Sequence, residues 1–180
     1  IKLAVREDTV AVMIVHVGGV VTDEIVKIRD WCKSKNIHLI EDAACAHGST
    51  FDGVNSGNFG IAGCFSFHHS KVLTSGEGGI ITTNDKALAD KMRRIRAIGL
   101  DRSINNYESF EVGSNYKMSE KTAILAQLHT NQAKDLISER QRIAERYNNG
   151  LNFNKKIKRF NLPLNTTSCY YKYYLYVDTT

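Results

Sequence analysis

Residues 10–42, VAVMIVHVGGVVTDEIVKIRDWCKSKNIHLIED, decide the fold. The run at 10–17 is apolar, rich in β-branched side chains and followed by glycine, which predicts a buried strand. Thr22 offers a helix cap, and apolar residues then recur at helical spacing. A second short strand is predicted at 37–40. A strand, a helix and a strand within so short a stretch predict a βαβ unit, and therefore an α/β fold with a mostly parallel sheet.

The residues that follow continue this alternation of strands and helices. Short strands are predicted at 64–67 and 79–83, on either side of a glycine-containing turn. Residues 85–98 predict a helix, because apolar side chains recur on one face. A longer helix is predicted from Ser119 to about Gly150, with a break near residue 130.

The composition is that of a globular protein. The chain has 180 residues, of which 42% are hydrophobic and 24% charged, a balance typical of folded domains. Its longest apolar runs, about 8 residues, are too short to span a bilayer. The net charge of +5 permits an anionic small-molecule ligand and does not require nucleic acid. The four cysteines form no C-x-x-C pair, which favours a reduced, cytoplasmic protein.

A change of composition after Gly150 suggests a domain boundary. We expect residues 1–150 to form part of one domain and residues 151–180 to begin a second, smaller one. The chain begins at Ile1 without a basic stretch followed by an apolar core, so no signal peptide is expected. It stops directly after a strand-like aromatic run, so we expect it to be an internal part of a longer protein.

Three short motifs carry the candidate chemistry. The first, EDAACAHG at 41–48, places Asp42 just past a strand, which is where ligands bind in open α/β sheets. The second, FSFHHSK at 65–71, ends in Lys71 among apolar and hydroxyl residues. The third, GEGG at 76–79, predicts a turn before the next strand.

Each motif alone also has an ordinary structural explanation. A strand-end aspartate is a cap or an ion-pair partner about as often as a site residue, a single lysine is usually a surface charge, and a glycine cluster is usually a turn. The glycine-rich nucleotide-binding motifs are absent. His68 and His69 are adjacent, so on a strand they would point in different directions, which is poor geometry for a shared metal ion. We therefore expect no metal site.

Taken together and in this order, the motifs resemble those of the DegT/DnrJ/EryC1/StrS family of sugar aminotransferases. The shared patterns are E-D-A-A-x-A-H-G, F-S-F-H-x-S-K and G-E-G-G. The likeness extends to VHVGG at 15–19, to GSNYKM at 113–118 and to the spacing of Arg140, Ala144 and Tyr147. The resemblance implies a fold-type I transferase that uses pyridoxal 5′-phosphate (PLP). This chain would be part of its large domain, without the family's N-terminal third, plus the start of the small C-terminal α/β domain.

The resemblance also implies roles for individual residues. Lys71 corresponds to the lysine that holds PLP covalently, and its freed amine would then move the proton of the reaction. Asp42 would keep the pyridine nitrogen protonated, so that the ring can act as an electron sink. Ser66 would bind the cofactor phosphate. Asn115 would reach the same phosphate from a neighbouring subunit, which implies a homodimer with shared active sites. His68 matches a position at the substrate mouth, or else it is a histidine packed at a strand end.

Two residues depart from the family pattern. Cys45 stands where glutamine or histidine often bonds the ring hydroxyl of the cofactor, and a thiol would make only a weak contact there. Lys117 stands where arginine is common, so a bidentate grip at that position is lost. With the N-terminal third absent, we expect the chain on its own to be inactive.

The reaction implied by the resemblance moves an amino group from an amino acid, expected to be glutamate, to a keto sugar linked to a nucleotide. Two alternatives remain open. A sugar dehydratase of the same fold would carry histidine in place of Lys71, and a non-catalytic or regulatory homologue would not need Asp42, Ser66 and Lys71 intact. The resemblance points to polysaccharide or deoxysugar biosynthesis, and neither nucleic acid nor a membrane is an expected partner.

Overall fold

The computed structural model describes residues 1–101, 109–151, 153 and 156–178. Their helices are α1 (Ile25–Ser34), α2 (Lys86–Arg96), α3 (Glu120–Asn131) and α4 (Ala133–Gly150), with 3-10 turns at Lys2–Ala4 and Val17–Gly19. The strands are β1 (Ala11–Val15), β2 (His38–Asp42), β3 (Thr50–Phe51), β4 (Val54–Asn55), β5 (Ala62–Ser66), β6 (Gly79–Thr82), β7 (Ile157–Arg159), β8 (Thr166–Thr167) and β9 (Leu175–Val177). Within these described ranges, no helix is both long and apolar enough to cross a membrane.

The central sheet has the strand order β1-β2-β5-β6. Strands β1, β2 and β5 run parallel, and β6 is antiparallel to β5. Strand β1, helix α1 and strand β2 form the βαβ unit that the sequence predicts, with Ala11 opposite His38 and Val15 opposite Asp42. The predicted α/β fold with a mostly parallel sheet is therefore confirmed.

Local capping sets the boundaries of several helices. The Asp85 side chain accepts a hydrogen bond from the Leu88 N–H at 3.0 Å and begins α2, and Ser119 does the same for the Thr122 N–H at 3.3 Å and begins α3. The predicted break in the long helix is confirmed, because α3 ends and α4 begins on either side of Gln132. The predicted cap at Thr22 is wrong: the helix starts at Ile25 after Glu24, without a side-chain cap bond. The Thr22 hydroxyl instead accepts the Glu24 N–H in the turn before the helix.

Strand β1 is not buried on both faces, which corrects the prediction of a buried strand at 10–17. Val12 and Ile14 pack against the core under α1, but Met13 is 62% exposed and Val15 is 50% exposed. Successive side chains of a strand point to opposite faces, and helix α1 covers only one of them. No other described element covers Met13 and Val15. The apolar run therefore includes side chains on a face of the sheet that is exposed to solvent within the described residues.

Two small sheets lie outside the central one. Strand β3 pairs antiparallel with β4 and with β8, so that Thr50 lies opposite Thr167. Strand β7 pairs antiparallel with β9. The polypeptide after α4 thus adds one strand to the earlier part of the chain and builds a separate two-stranded sheet. The domain boundary at residue 150 stays a prediction.

Two apolar clusters form the core. The first lies between α1 and the sheet and contains Val21, Ile25, Cys32, Ile37, Leu39, Phe51 and Phe59. The second lies under α3 and α4 and contains Phe67, Val72, Leu73, Ala126 and Cys169. Burial of such side chains is the main favourable contribution to folding. The second cluster joins residues just after β5 to the two long helices, and so fixes the polypeptide around Lys71.

A buried carboxylate, Glu41, holds the end of β2 in place. Its Oε1 accepts hydrogen bonds from the N–H groups of Phe59 at 2.6 Å and Gly60 at 2.7 Å. Its Oε2 accepts the Gly57 N–H at 2.7 Å and lies 2.9 Å from His16 Nε2. Burial would raise the pKa of the Glu41 carboxyl, but the hydrogen bonds from His16, Gly60 and Gly57 outweigh it and hold the pKa below its ordinary value.

The loop bound by Glu41 lies against the backbone of β5. A Cβ atom at Gly63 would collide with the Cα atom of Gly57, so this approach of loop and strand requires glycine. The side chain of Glu41 therefore connects the loop at 57–60 to the end of β1. The loop in turn lies against strand β5.

We predict that Glu41→Gln lowers the free energy of unfolding by about 3 kcal/mol, because an amide NH₂ would face backbone N–H groups and leave buried donors unpaired. Urea unfolding measures the loss. The control is Glu24→Gln, which breaks an exposed ion pair with Lys27 and is expected to cost less than about 1 kcal/mol. Equal effects of the two substitutions would show that Glu41 does not anchor the loop.

Candidate active site

The carboxyl ends of β2 and β5 meet at one edge of the central sheet. Asp42 is the last residue of β2 and pairs in register with Cys64, two residues before β5 ends at Ser66. Parallel neighbours end at the same edge, and this edge is where open α/β sheets bind ligands. The segments that leave the two strands, 43–47 and 67–71, carry Cys45, His68 and Lys71, and Ser66 is the last residue of β5.

Asp42 is fixed at its strand end by a local turn. Its Oδ1 accepts the Ala44 N–H at 3.0 Å, and the Ala46 N–H donates to the carbonyl oxygen of Ala43 at 2.9 Å. The side chain is half-buried. Burial and the negative charge of Asp42 raise the pKa of the Cys64 thiol on the neighbouring strand. The carboxylate is thus held in position with a neutral thiol beside it.

Lys71 extends from the loop after β5 toward the loop after β2. Its Nζ donates a hydrogen bond to Cys45 Sγ at 3.2 Å, so the structure brings together two residues that are predicted as cofactor contacts. The Lys71 N–H donates to the His68 carbonyl oxygen at 2.9 Å, which makes the tight turn that carries the lysine. The side chain is half-buried, so its amine lies neither in bulk solvent nor sealed in the core.

Tyr171 lies at the site and is not among the residues predicted from the sequence. Lys71 Nζ lies 4.7 Å from the centre of the Tyr171 ring, and Lys172 Nζ lies 5.0 Å from the same centre. At these distances an ammonium group is attracted to an aromatic face. The only signal in the sequence is the aromatic run at 170–176, whose alternation is typical of a strand and does not indicate a site.

Hydrogen bonds from distant parts of the chain hold the segment at 168–171 beside Lys71. Ser168 Oγ donates to the Gly19 carbonyl oxygen at 2.9 Å, and Cys169 Sγ donates to the Cys45 carbonyl oxygen at 3.2 Å. On the other side, α4 donates two hydrogen bonds to this segment, from Arg140 Nη1 to the Tyr170 carbonyl oxygen at 3.2 Å and from Gln141 Nε2 to the Ser168 carbonyl oxygen at 3.0 Å. The segment is therefore a fixed wall of the site.

His47 is a buried imidazole next to this site. It packs between Phe65 and Phe67, with ring centroids 5.4 Å and 5.6 Å away. Its two ring nitrogens are buried and have no hydrogen-bond partner among the described residues. Burial, assisted by the positive charge of Lys71, lowers the pKa of His47 from 6.5 to about 4. At neutral pH the ring is therefore uncharged.

Ser66 and His68 lie at the start of the loop that carries Lys71. The Ser66 hydroxyl accepts the His68 N–H at 3.2 Å, so the serine is part of the turn that leaves β5. His68 Nδ1 lies 2.9 Å from Ser70 Oγ, and its Nε2 lies 3.7 Å from a Glu77 carboxylate oxygen. The His68 side chain is 38% exposed, which places it at the surface of the site and not in the core.

Asn115 is separate from the other predicted residues. It forms an isolated β-bridge with Ala97, just after α2, and it is exposed. No contact of Asn115 with Lys71, Asp42 or Ser66 is present in the part of the chain that the structure describes. Within one copy of the chain, the structure therefore brings together Asp42, Cys45, Ser66, His68 and Lys71, and leaves Asn115 apart.

The residues at this edge suit PLP. The amine of Lys71 provides a group that can bind an aldehyde, Asp42 provides a carboxylate for a protonated ring nitrogen, and Ser66 provides a hydroxyl donor for a phosphate. The loop after Asp42 consists of small residues up to Cys45, which lets a flat ring approach the sheet edge.

Comparisons with known proteins agree with this chemistry. Residues 1–180 match the DegT/DnrJ/EryC1/StrS aminotransferase family. The chain is 36% identical to the GDP-perosamine synthase of Escherichia coli O157:H7 over 152 residues, which cover 84% of this chain and 41% of that protein. The aminotransferase TlmJ from Streptoalloteichus hindustanus has the same fold, with a TM-score of 0.89 and 30% identity over 98% of this chain and 48% of the other.

A further solved structure bears on the cofactor. Spr1654 from Streptococcus pneumoniae, in a PLP form, superposes with a TM-score of 0.84 and 25% identity, covering 99% of this chain and 50% of that one. The chain thus spans about half the length of the proteins that it matches.

We predict that His47→Leu makes the protein more resistant to acid. Between pH 6.5 and about 4 the unfolded chain takes up a proton at His47 that the folded protein does not, so stability falls as the pH falls, by about 3 kcal/mol over this range. Leucine removes this loss. The measurement compares the free energy of unfolding of parent and variant at pH 7.5 and pH 4.5. If the difference in free energy of unfolding between parent and variant is the same at both pH values, the His47 ring is not a buried, uncharged imidazole.

Proposed function

The chain belongs to the DegT/DnrJ/EryC1/StrS aminotransferase family, and we propose that the full-length protein moves an amino group from an amino acid to the keto group of a nucleotide-linked sugar. The name of one relative, GDP-perosamine synthase, refers to a nucleotide-linked sugar and supports this substrate class. Glutamate is the proposed amino donor. The cytoplasm is the proposed location.

One observation carries the proposal: the Lys71 amine reaches the turn that directly follows Asp42. Lys71 Nζ contacts Cys45, which lies three residues after Asp42 on the turn that the aspartate itself holds. A lysine that only carried surface charge would extend into solvent, whereas this one is half-buried between a thiol and an aromatic ring. An amine and a carboxylate in one partly enclosed site are what PLP chemistry requires.

The residues then have distinct tasks. When bound, PLP supplies an electron sink for the carbon atom that loses its proton. Lys71 binds the cofactor and, once its amine is free, takes the proton from Cα of the amino donor. Asp42 orients the cofactor through its ring nitrogen and keeps that nitrogen protonated. Ser66 binds the phosphate, and Cys45 contributes a weak contact to the ring hydroxyl.

Two residues at the rim complete the proposed site. His68 is partly exposed at the surface of the site, and its proposed role is to contact the substrate. The Tyr171 ring lies over the lysine amine, where it shields one side of Lys71 from water and provides a favourable surface for its ammonium form. Both residues orient groups at the site without forming a bond to the substrate.

Lys71 also separates the proposal from its alternatives. A sugar dehydratase of this fold would have histidine at position 71, and this chain has lysine. A regulatory homologue without catalysis would have no need to keep an amine, a carboxylate and a hydroxyl at adjacent strand ends. The arrangement of Lys71, Asp42 and Ser66 therefore favours the aminotransferase.

We predict that Lys71→Ala abolishes transamination and leaves the fold intact, because the variant loses both the covalent attachment and the proton carrier. The rate is expected to fall by about 10⁴-fold or more, since a proton-transferring group alone contributes about 10²- to 10⁴-fold. Borohydride reduction of the PLP-loaded parent should fix the cofactor to Lys71, as mass spectrometry of peptides would show. The control is Lys172→Ala, which removes the other amine over the Tyr171 ring and should leave the fixed cofactor in place. Turnover of Lys71→Ala within tenfold of the parent would contradict the assignment.

The proposed assembly is a homodimer in which Asn115 serves the partner's cofactor. Asn115 is exposed, and so are the neighbouring apolar residues Val112 and Tyr116. Exposed apolar residues of this kind are typical of a surface that another chain covers. Two-fold dimers with reciprocal contacts are the commonest oligomers. The separation of Asn115 from Lys71 within one chain supports a role in a second copy.

We predict that mixing two inactive full-length variants, Lys71→Ala and Asn115→Asp, restores part of the activity. In a mixed dimer, one of the two sites combines a native Lys71 with a native Asn115, and the other combines both substitutions. Subunit exchange is confirmed separately by native mass spectrometry with subunits of different mass. Exchange without recovered activity would rule out the shared site.

A further inference from the structure

A cluster of possible metal ligands lies at the rim of the site. His68 and His69 lie just after β5, and Glu77 lies on the turn before β6. Each residue offers one ligand atom, and the three atoms lie within 4.8 Å of one another. We propose that His68, His69 and Glu77 bind a divalent transition-metal ion of the Zn²⁺ class. This inference does not rest on the proposed aminotransferase function.

The geometry of the two histidines differs from the sequence-based expectation. That expectation treated the pair as strand residues, whose adjacent side chains point to opposite faces, although the predicted strand itself ends at residue 67. Strand β5 ends at Ser66, however, and both histidines follow it in a turn. Their ring centroids are 3.9 Å apart and their planes are inclined by 43°. The imidazoles therefore lie on the same side of the backbone.

The distances are close to those of a coordinated ion. Zn²⁺ binds imidazole nitrogen and carboxylate oxygen at about 2.0–2.2 Å, so two of its ligands can be at most about 4.2 Å apart. His68 Nε2 and Glu77 Oε1 are already within this limit, at 3.7 Å. No two of the three ligand atoms are more than 4.8 Å apart, so any excess over this limit is less than 1 Å. The side chains of His69 and Glu77 are exposed, so small rotations can close this gap without disturbing the core.

Ser70 holds the His68 ring in place. The His68 Nδ1 atom lies 2.9 Å from the Ser70 hydroxyl and also accepts the Ser70 backbone N–H at 3.3 Å. A metal ion on Nε2, the nitrogen that faces Glu77, requires the ring proton to lie on Nδ1. The Ser70 hydroxyl can accept that proton, and the long contact with the Ser70 N–H is then given up. A hydrogen bond from the non-ligating nitrogen is the usual way in which proteins orient a metal-bound histidine.

The kind of ligand selects the kind of ion. Two imidazoles and one carboxylate suit Zn²⁺ and neighbouring transition metals, whereas Ca²⁺ and Mg²⁺ prefer oxygen ligands. Three protein ligands leave a fourth position of the ion open, as in catalytic zinc sites. A bound ion would connect the end of β5 to the turn before β6, and so hold both ends of the loop at 68–77. This loop carries Lys71.

The test is a Zn²⁺ titration of the untagged, PLP-loaded, full-length protein by isothermal calorimetry, with four proteins compared. These are the parent, His69→Asn, Glu77→Gln and the control His38→Asn, which changes an exposed histidine at the opposite end of β2. Any Zn²⁺ that the cofactor or other surface groups bind is common to all four. The readout is binding itself and does not depend on enzyme activity.

We expect one high-affinity ion per chain in the parent and in His38→Asn. Both His69→Asn and Glu77→Gln should weaken binding by at least about tenfold, because loss of even an outer partner of a metal ligand typically costs about 10- to 100-fold in affinity. The visible absorption of bound Co²⁺, recorded on the same proteins, should report imidazole and carboxylate ligation in the parent and lose intensity in the two ligand variants. The proposal is overturned if the parent binds no ion, if its affinity is unchanged in both ligand variants, or if His38→Asn removes the same ion.

Discussion

The buried carboxylate of Glu41 is the interaction on which the geometry of the site depends. Its two oxygens accept three backbone N–H groups from the loop before β5 and contact His16 at the end of β1. A buried charge is stable only when its hydrogen-bonding capacity is filled, and Glu41 meets this condition. The residue that follows it is Asp42. The position of the functional carboxylate is thus set by a structural carboxylate whose side chain points to the opposite face of the same strand.

Three separate segments build the site around that strand end. The turn after β2 contributes Asp42 and Cys45, the loop after β5 contributes Ser66, His68 and Lys71, and the segment after β8 contributes Tyr171. The first two segments are direct continuations of paired strands, so the sheet register determines where they meet. The third segment does not continue a strand of the central sheet. Its place is determined by the hydrogen bonds that it accepts from α4 and by those that its own Ser168 and Cys169 donate.

The features that can be predicted from the sequence are those that depend on local patterns of residues. Apolar periodicity gives the strand, helix and strand of the βαβ unit, and the three motifs identify Asp42 and Lys71, which the structure brings to one edge. The exposure of Met13 and Val15 could not be predicted, because a run of apolar residues does not show whether both faces of a strand are covered. Tyr171 was missed for a related reason: its place depends on hydrogen bonds of Ser168 and Cys169 to residues more than a hundred positions earlier in the sequence, which no local pattern shows. The proximity of His68 and His69 was missed because the pair was treated as strand residues, whereas β5 ends at Ser66 and both histidines follow it in a turn.

The anchoring of the segment at 168–171 has a consequence for the order of folding. The hydrogen bond between Ser168 and Gly19 closes a loop of 149 residues, and the one between Cys169 and Cys45 closes a loop of 124. The parallel strands β1 and β2, by contrast, are joined by a single helix. Contacts of such long sequence separation cost more loop-closure entropy than the local βαβ contacts, so we expect them to form after the sheet has assembled. Until they form, Lys71 lacks the aromatic ring of Tyr171 beside its amine. We expect a local opening of this segment to remove that ring from the site again.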